Sequence, residues 1–131
     1  MTATEEPIAA QTTRRILIVE DEGIVAFALR MAVEDMGHKV VAISRTGAEA
    51  MSVASAERPD LVLMDIRLPG GMDGIEAAES IKHDLLIPSI FVTGNTDEET
   101  RRRAMAAAPV AYLQKPVEEH LLARAITEAL Y

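Results

Sequence analysis

Short, nearly unbroken apolar runs punctuate the chain: Ile-Leu-Ile-Val at 16–19, Val-Val-Ala-Ile at 40–43, Leu-Val-Leu-Met at 61–64, Ile-Phe-Val at 90–92 and Val-Ala-Tyr-Leu at 110–113. Half-exposed strands alternate apolar and polar residues, whereas strands covered on both faces do not, so these runs predict buried parallel strands. The segments between them carry helical spacing. Val25, Leu29, Ala32 and Met36 share one face that stops at Gly37, and Thr46-x-x-Glu49, Asp73-x-x-Glu76 and Thr96-x-x-Glu99 have the form of capping boxes. A last helix is expected after Pro116, with Leu121, Leu122, Ala125, Ile126 and Ala129 turned inward.

Strand and helix therefore alternate five times. Each right-handed crossover between parallel strands needs a helix to return the chain, so the pattern predicts an α/β, flavodoxin-like, doubly wound (βα)5 domain. Its five-stranded parallel sheet is expected in the order 2-1-3-4-5, with a ligand site beyond the carboxyl ends of strands 1 and 3, where the winding reverses. At 131 residues the length suits one domain. We expect residues 1–13 to form a flexible tail and 14–131 the domain.

Composition narrows the chemistry. The chain is 49% apolar and 26% charged, and no apolar run approaches the ~18 residues of a membrane span. No membrane partner is expected. The absence of cysteine excludes disulfides, thiolate catalysis and cysteine-ligated zinc. The polar, acidic start Met-Thr-Ala-Thr-Glu-Glu lacks the form of a secretory signal, which makes the cytoplasm the expected location. A net charge of −8 argues against direct nucleic-acid binding. The one basic cluster, Arg101 to Arg103, sits four residues from Glu98 and Glu99, the spacing of helix-surface ion pairs Glu98–Arg102 and Glu99–Arg103. His38, His83 and His120 are scattered and read as solvated surface residues, and most of the seven methionines as packing.

Polar residues fall at the strand ends. Glu20, Asp21 and Glu22 follow strand 1, Asp65 follows strand 3, Thr93 ends strand 4 and Lys115 follows strand 5. Converging carboxylates repel: a pair ~4 Å apart costs about 4 kcal/mol at an effective dielectric of 20. An all-oxygen set with room for water and a phosphate suits Mg2+. A carboxylate beside a divalent cation, faced by an ammonium and a hydroxyl, is equipment for phosphoryl transfer, with Asp65 as the candidate nucleophile.

The motifs Ile16–Glu22, Leu61–Gly74, Phe91–Gly94 and Ala111–Pro116 together resemble the receiver domain of bacterial two-component response regulators, from about Arg14 to the C-terminus. The resemblance implies that Asp65 takes a phosphoryl group from the phosphohistidine of a sensor histidine kinase or histidine phosphotransfer protein. It further implies Asp21 as a direct Mg2+ ligand beside Asp65 and Glu20 as one acting through water, with the Arg67 backbone carbonyl completing the protein's share. The amides of Arg67 and Gly94 would meet phosphoryl oxygens, Lys115 would pair with one, and Thr93 would be drawn toward another on activation. Tyr112 matches the aromatic residue that swings inward with the threonine, though it equally fits a half-buried strand residue. The resemblance also implies a cis Lys115–Pro116 bond. A downstream target would bind at the fourth helix, fifth strand and fifth helix, with the domain a monomer or a phosphorylation-dependent dimer.

Two departures stand out. The loop after Asp65 is one residue longer than the family pattern, through a second glycine at 70–71, and Gly94 stands where many receivers carry alanine or serine. Arg67, two residues past the nucleophile, is expected to reach across the phosphoryl group and either slow water attack or recruit an acidic partner. The leading expectation is a single-domain phosphoacceptor that switches partner binding rather than a turnover enzyme. A receiver cut from a longer regulator or hybrid kinase fits equally. A Mg2+-dependent aspartyl-phosphate phosphohydrolase would need a second acid where Arg67 stands, and a flavodoxin-like cofactor binder would need a glycine-rich loop where Glu20–Glu22 stand.

Overall fold

The structure, a computed structural model, describes residues 13–94 and 96–131. The tail expected over 1–13 thus lies, apart from Thr13, outside the described residues. Five strands, β1 (Arg15–Val19), β2 (Lys39–Ser44), β3 (Leu61–Met64), β4 (Ser89–Thr93) and β5 (Ala111–Gln114), alternate with five helices. The helices are α1 (Gly23–Asp35), α2 (Gly47–Glu57), α3 (Gly74–Leu85), α4 (Glu98–Ala106) and α5 (Glu119–Leu130). All strand pairs are parallel and the sheet order is β2-β1-β3-β4-β5, the doubly wound arrangement expected from the pattern.

The continuous apolar runs are explained by two cores, one on each face of the sheet. Leu17, Val19, Val62, Met64 and Phe91 pack with Ala50, Ala54, Ile75, Ala78, Ile81 and Ala104 of α2, α3 and α4. Ile16, Ile18, Leu61, Leu63, Ile90 and Val92 pack with Leu29, Val33, Leu122 and Ile126 of α1 and α5. Successive strand residues point to opposite faces, so both sets must be apolar. Each large side chain so buried contributes about 1.5–3 kcal/mol, which makes β1, β3 and β4 the rigid floor of the site. Among the described residues no helix is long and apolar enough to cross a membrane.

Of the local expectations, one holds in full and several are corrected. Asp73 and Glu76 form a full capping box at α3. At α2, Thr46 Oγ1 accepts from the Glu49 N–H, but the Glu49 carboxylate accepts from Arg45 rather than from the cap residue. At α4 the cap is Asp97, whose carboxylate accepts from the Thr100 N–H at 2.7 Å; Thr96 faces β5 instead. Leu121 is 41% exposed, because the inward face of α5 is set by Leu122, Ala125 and Ile126. Among the described residues, Glu98–Arg102 and Glu99–Arg103 do not pair; Arg103 turns to Asp73, a partner that lies outside its own helix.

His38 is not a solvated residue. It is 8% exposed at the amino end of β2, where Nδ1 accepts from the Arg14 N–H at 3.0 Å. Burial disfavours its charged form and holds its pKa below the ordinary value, the Arg14 charge adding to this and Asp60 opposing it.

Candidate functional site

The sheet's own hydrogen bonds continue one residue past the strands and carry the polar side chains with them. Glu20 N–H donates to Ser44 O at 2.9 Å, Asp65 N–H to Val19 O at 3.0 Å, and Lys115 N–H to Thr93 O at 2.8 Å. Each of these residues is held by a ladder bond while its side chain leaves the apolar floor. The structure thereby brings Glu20, Asp21, Asp65 and Lys115 together at the carboxyl rim. One carboxylate oxygen from each of Glu20, Asp21 and Asp65 lies within 4.8 Å of the others.

Lys115 is the cation of this cluster. Its Nζ lies 2.7 Å from Glu20 Oε1, donates to Asp65 Oδ2 at 3.1 Å, and stands 3.8 Å from Glu22 Oε1. Burial opposes the lysine's charge, but the contacts with Glu20 and Asp65 outweigh it and raise its pKa above the ordinary value. Burial likewise pushes the Glu20 carboxyl above its usual range, with the Lys115 contact and the Glu22 N–H pulling it down and Asp65 pushing it up. Glu20 Oε1 is buried, and its contact in the cluster is the ion pair with the Lys115 ammonium. Three converging carboxylates, oxygen donors alone and a surplus of negative charge over the Lys115 ammonium fit a hard divalent cation held by Glu20, Asp21 and Asp65.

The loop after Asp65 is shaped by two glycines. Gly70 takes φ +94°, a conformation that L side chains adopt only under strain, and so turns the added residue outward. Gly74, which opens α3, lies against Asp65 so closely that a Cβ there would sit 1.9 Å from the Asp65 backbone oxygen. Its N–H donates to Ile66 O at 2.8 Å, closing the turn. Sequence reasoning missed Gly74 as a site residue; its signal was the Asp-Gly pair at the start of a capped helix.

Thr93 is buried at the end of β4, with Gly94 directly after it, while the Arg67 side chain is exposed. The charge of Arg67 helps hold the Asp97 carboxyl below its usual range, after the larger effect of the bonds from Thr100. Tyr112 is half-buried on β5. Its hydroxyl shares a 2.6 Å hydrogen bond with Thr96 Oγ1, and the Arg101 guanidinium lies 4.7 Å from its ring centroid. Thr96 and Arg101 were not legible as partners of Tyr112, since the contact joins a loop and a helix to the next strand through tertiary packing that local spacing does not encode. The Lys115–Pro116 peptide is cis, as the resemblance implies.

The sequence model described as "Response regulator receiver domain" matches residues 16–127. The chain belongs to this family. The receiver is 34% identical over 125 residues to the phyllosphere-induced regulator PhyR of Methylorubrum extorquens, covering 95% of this chain and 46% of that protein. It is also 34% identical over 119 residues to the protein PilH of Pseudomonas aeruginosa, covering 88% of this chain and 97% of PilH. It thus spans about half the length of the first relative and nearly all of the second. Among solved structures, the signal receiver domain of a modulated diguanylate cyclase from Desulfovibrio desulfuricans superposes with a TM-score of 0.86 at 39% identity, over 90% of this chain and 94% of that one. The domain is therefore a receiver of two-component response regulators, a class that acts between histidine kinases and downstream effectors.

Proposed function

We propose that Asp65 of this receiver accepts a phosphoryl group from the phosphohistidine of a sensor histidine kinase or histidine phosphotransfer protein, and that phosphorylation switches the binding of a downstream protein. The observation that carries this reading is the carboxylate of Asp65, 6% exposed, one residue beyond the central strand and bonded to Lys115 within the acidic cluster. In the transfer, an Asp65 carboxylate oxygen forms the new O–P bond as the P–N bond to the donor imidazole breaks. The departing imidazole keeps the nitrogen's electron pair.

Glu20, Asp21, Asp65 and the Arg67 backbone carbonyl would hold Mg2+, which when bound neutralises charge on the phosphoryl oxygens. Lys115 pairs with a phosphoryl oxygen, the Thr93 hydroxyl meets another, and the amides of Arg67 and Gly94 supply further donors. Tyr112 would follow Thr93 and so reshape the face made by α4, β5 and α5. The position two residues past Asp65 is Arg67, which cannot protonate a leaving group, so the chemistry stops at a slowly hydrolysed aspartyl phosphate rather than turning over as in a phosphohydrolase. A cytoplasmic location and a monomer, or a dimer formed on phosphorylation, complete the reading. Incubation with a small phosphoryl donor and Mg2+, followed by intact-mass measurement, tests it: the wild type gains one phosphoryl group and Asp65→Asn gains none. A gain that persists in the variant overturns the assignment.

A further inference from the structure

The three carboxylates of the cluster are not held alike. Glu20 spends Oε2 on the Glu22 N–H at 3.1 Å and sets Oε1 beside Lys115, and Asp65 gives Oδ2 to the same ammonium. Among the described residues, no group donates to the half-buried Asp21 carboxylate. Both of its oxygens are free for a ligand, and its aim rests on its backbone alone.

That backbone is held from the neighbouring strand. β2 ends at Ser44, whose carbonyl accepts from the Glu20 N–H at 2.9 Å, and the next residue, Arg45, donates from Nη2 to the Asp21 carbonyl at 3.1 Å. Two consecutive residues, Ser44 and Arg45, thus bond two consecutive residues, Glu20 and Asp21. An exposed arginine loses rotamer freedom in making such a contact, so its base must be fixed for the contact to persist. Here it is: the Arg45 N–H donates to Glu49 Oε1 at 2.7 Å, and the Glu49 N–H donates to Thr46 Oγ1 at 3.0 Å. The same turn abuts the loop that follows Asp65. At Gly47, which opens α2, a Cβ would lie 3.1 Å from Met72 Cγ and 3.2 Å from the Met72 carbonyl oxygen. The start of α2 therefore stands against both loops of the site.

We propose that Arg45 is a positioning residue of the metal site, which holds the Asp21 carbonyl and thereby aims the free carboxylate toward Asp65. It acts through the Asp21 backbone and is not itself a ligand. Its guanidinium also brings positive charge to the edge of a cation site, so two effects oppose each other: charge weakens Mg2+ binding, whereas positioning strengthens it. The side chain is exposed, where water and salt screen its charge; a backbone set by a hydrogen bond is not screened in this way, and positioning prevails. The inference rests on Mg2+ being held by Glu20, Asp21 and Asp65.

Calorimetric titration of the full chain with Mg2+, without phosphoryl donor, separates the two effects by sign. Arg45→Gln is expected to weaken Mg2+ binding about fivefold, the worth of one hydrogen bond from a charged donor to a group that orients a ligand. The factor should be the same at about 50 mM and about 500 mM salt, since screening acts on charge. Arg45→Lys keeps the charge and a donor for the single carbonyl acceptor, and is expected to stay within about twofold of the wild type. The metal-free denaturation midpoint of Arg45→Gln should be nearly that of the wild type, because an exposed contact adds little to stability. Unchanged or tighter Mg2+ binding in Arg45→Gln overturns the inference, as does a loss that disappears at high salt, a lysine variant as weak as the glutamine one, or a lowered metal-free midpoint with Mg2+ affinity intact. Asp21→Asn marks where the two readings part. Mg2+ binding that survives this change overturns the metal site and the inference with it, whereas binding lost in Asp21→Asn but kept in Arg45→Gln overturns the role of Arg45 alone.

Discussion

At the amino rim of the sheet, Arg15 gives its backbone N–H to Asp60 Oδ2 at 2.8 Å, and its guanidinium reaches the Glu57 carboxylate at 3.0 Å and the Arg58 carbonyl at 3.2 Å. His38 accepts from Arg14 beside them. At the carboxyl rim, Glu20, Asp21, Glu22 and Asp65 gather around the single ammonium of Lys115. Both rims carry charge at strand ends on the same rigid floor. The first closes on itself, the Arg15 guanidinium meeting a carboxylate and carbonyls; the second holds a surplus of one sign at fixed positions. A closed cluster orders the chain, whereas a surplus stores repulsion that only an added cation can relieve. That distinction, more than the presence of charge, separates structural from chemical strand ends here.

The contrast can be broken most completely at its centre. Asp65→Asn is expected to abolish phosphoryl uptake outright, read as the absence of any mass gain with donor and Mg2+, while thermal stability is kept. Lys115→Ala should slow phosphorylation on the order of 10²-fold, because the ammonium faces the phosphoryl oxygens. Without Mg2+ the same variant should lose roughly 2 kcal/mol in a denaturant titration, since two buried acids then face each other uncompensated, and added Mg2+ should recover much of it. Gly74→Ala places a methyl group against backbone that cannot yield, so a loss of about 2–3 kcal/mol is expected, with slower phosphorylation alongside.

At the opposite rim the effects are smaller and confined to stability. Asp60→Ala should cost about 1 kcal/mol for the lost bond to Arg15 and leave phosphorylation unchanged, a result that would be reversed if the two rims were alike. His38 supplies the smallest effect and a pH signature. The unfolded chain takes up this proton near pH ~6.5 and the folded chain only below it, so the stability contribution is complete above that pH and is lost as pH falls through the lowered folded value. Melting curves between pH 7.5 and 5 should show this limb in the wild type and lack it in His38→Gln.

Both the architecture and the carboxyl rim were legible in the sequence for one physical reason. A strand buried on two faces must be apolar throughout, so the first charged residue after it, Glu20 or Asp65, marks both its end and the rim. What stayed hidden depends on distant contacts. Arg103 had an acid at helical spacing, yet Asp73, thirty residues earlier by number, offers a carboxylate already fixed by its cap. His38 looked polar because local pattern cannot show that Arg14 would bring a donor to it. Thr96 met the rule for a cap, but Asp97 took that place and left Thr96 for Tyr112. In each case tertiary placement, rather than local preference, chose the partner.

The loop between Asp65 and α3 is pinned at its two ends, by Asp65 N–H on Val19 O and by Gly74 N–H on Ile66 O. Its outer stretch, Pro69 to Gly71, is exposed. Lengthening a flexible loop costs only about 0.6 kcal/mol for each doubling, so added residues there are absorbed without moving either anchor. Gly70–Gly71 is consequently a splice point: a reporter peptide or epitope inserted between these glycines would ride a few residues from the phosphoacceptor while leaving its frame intact.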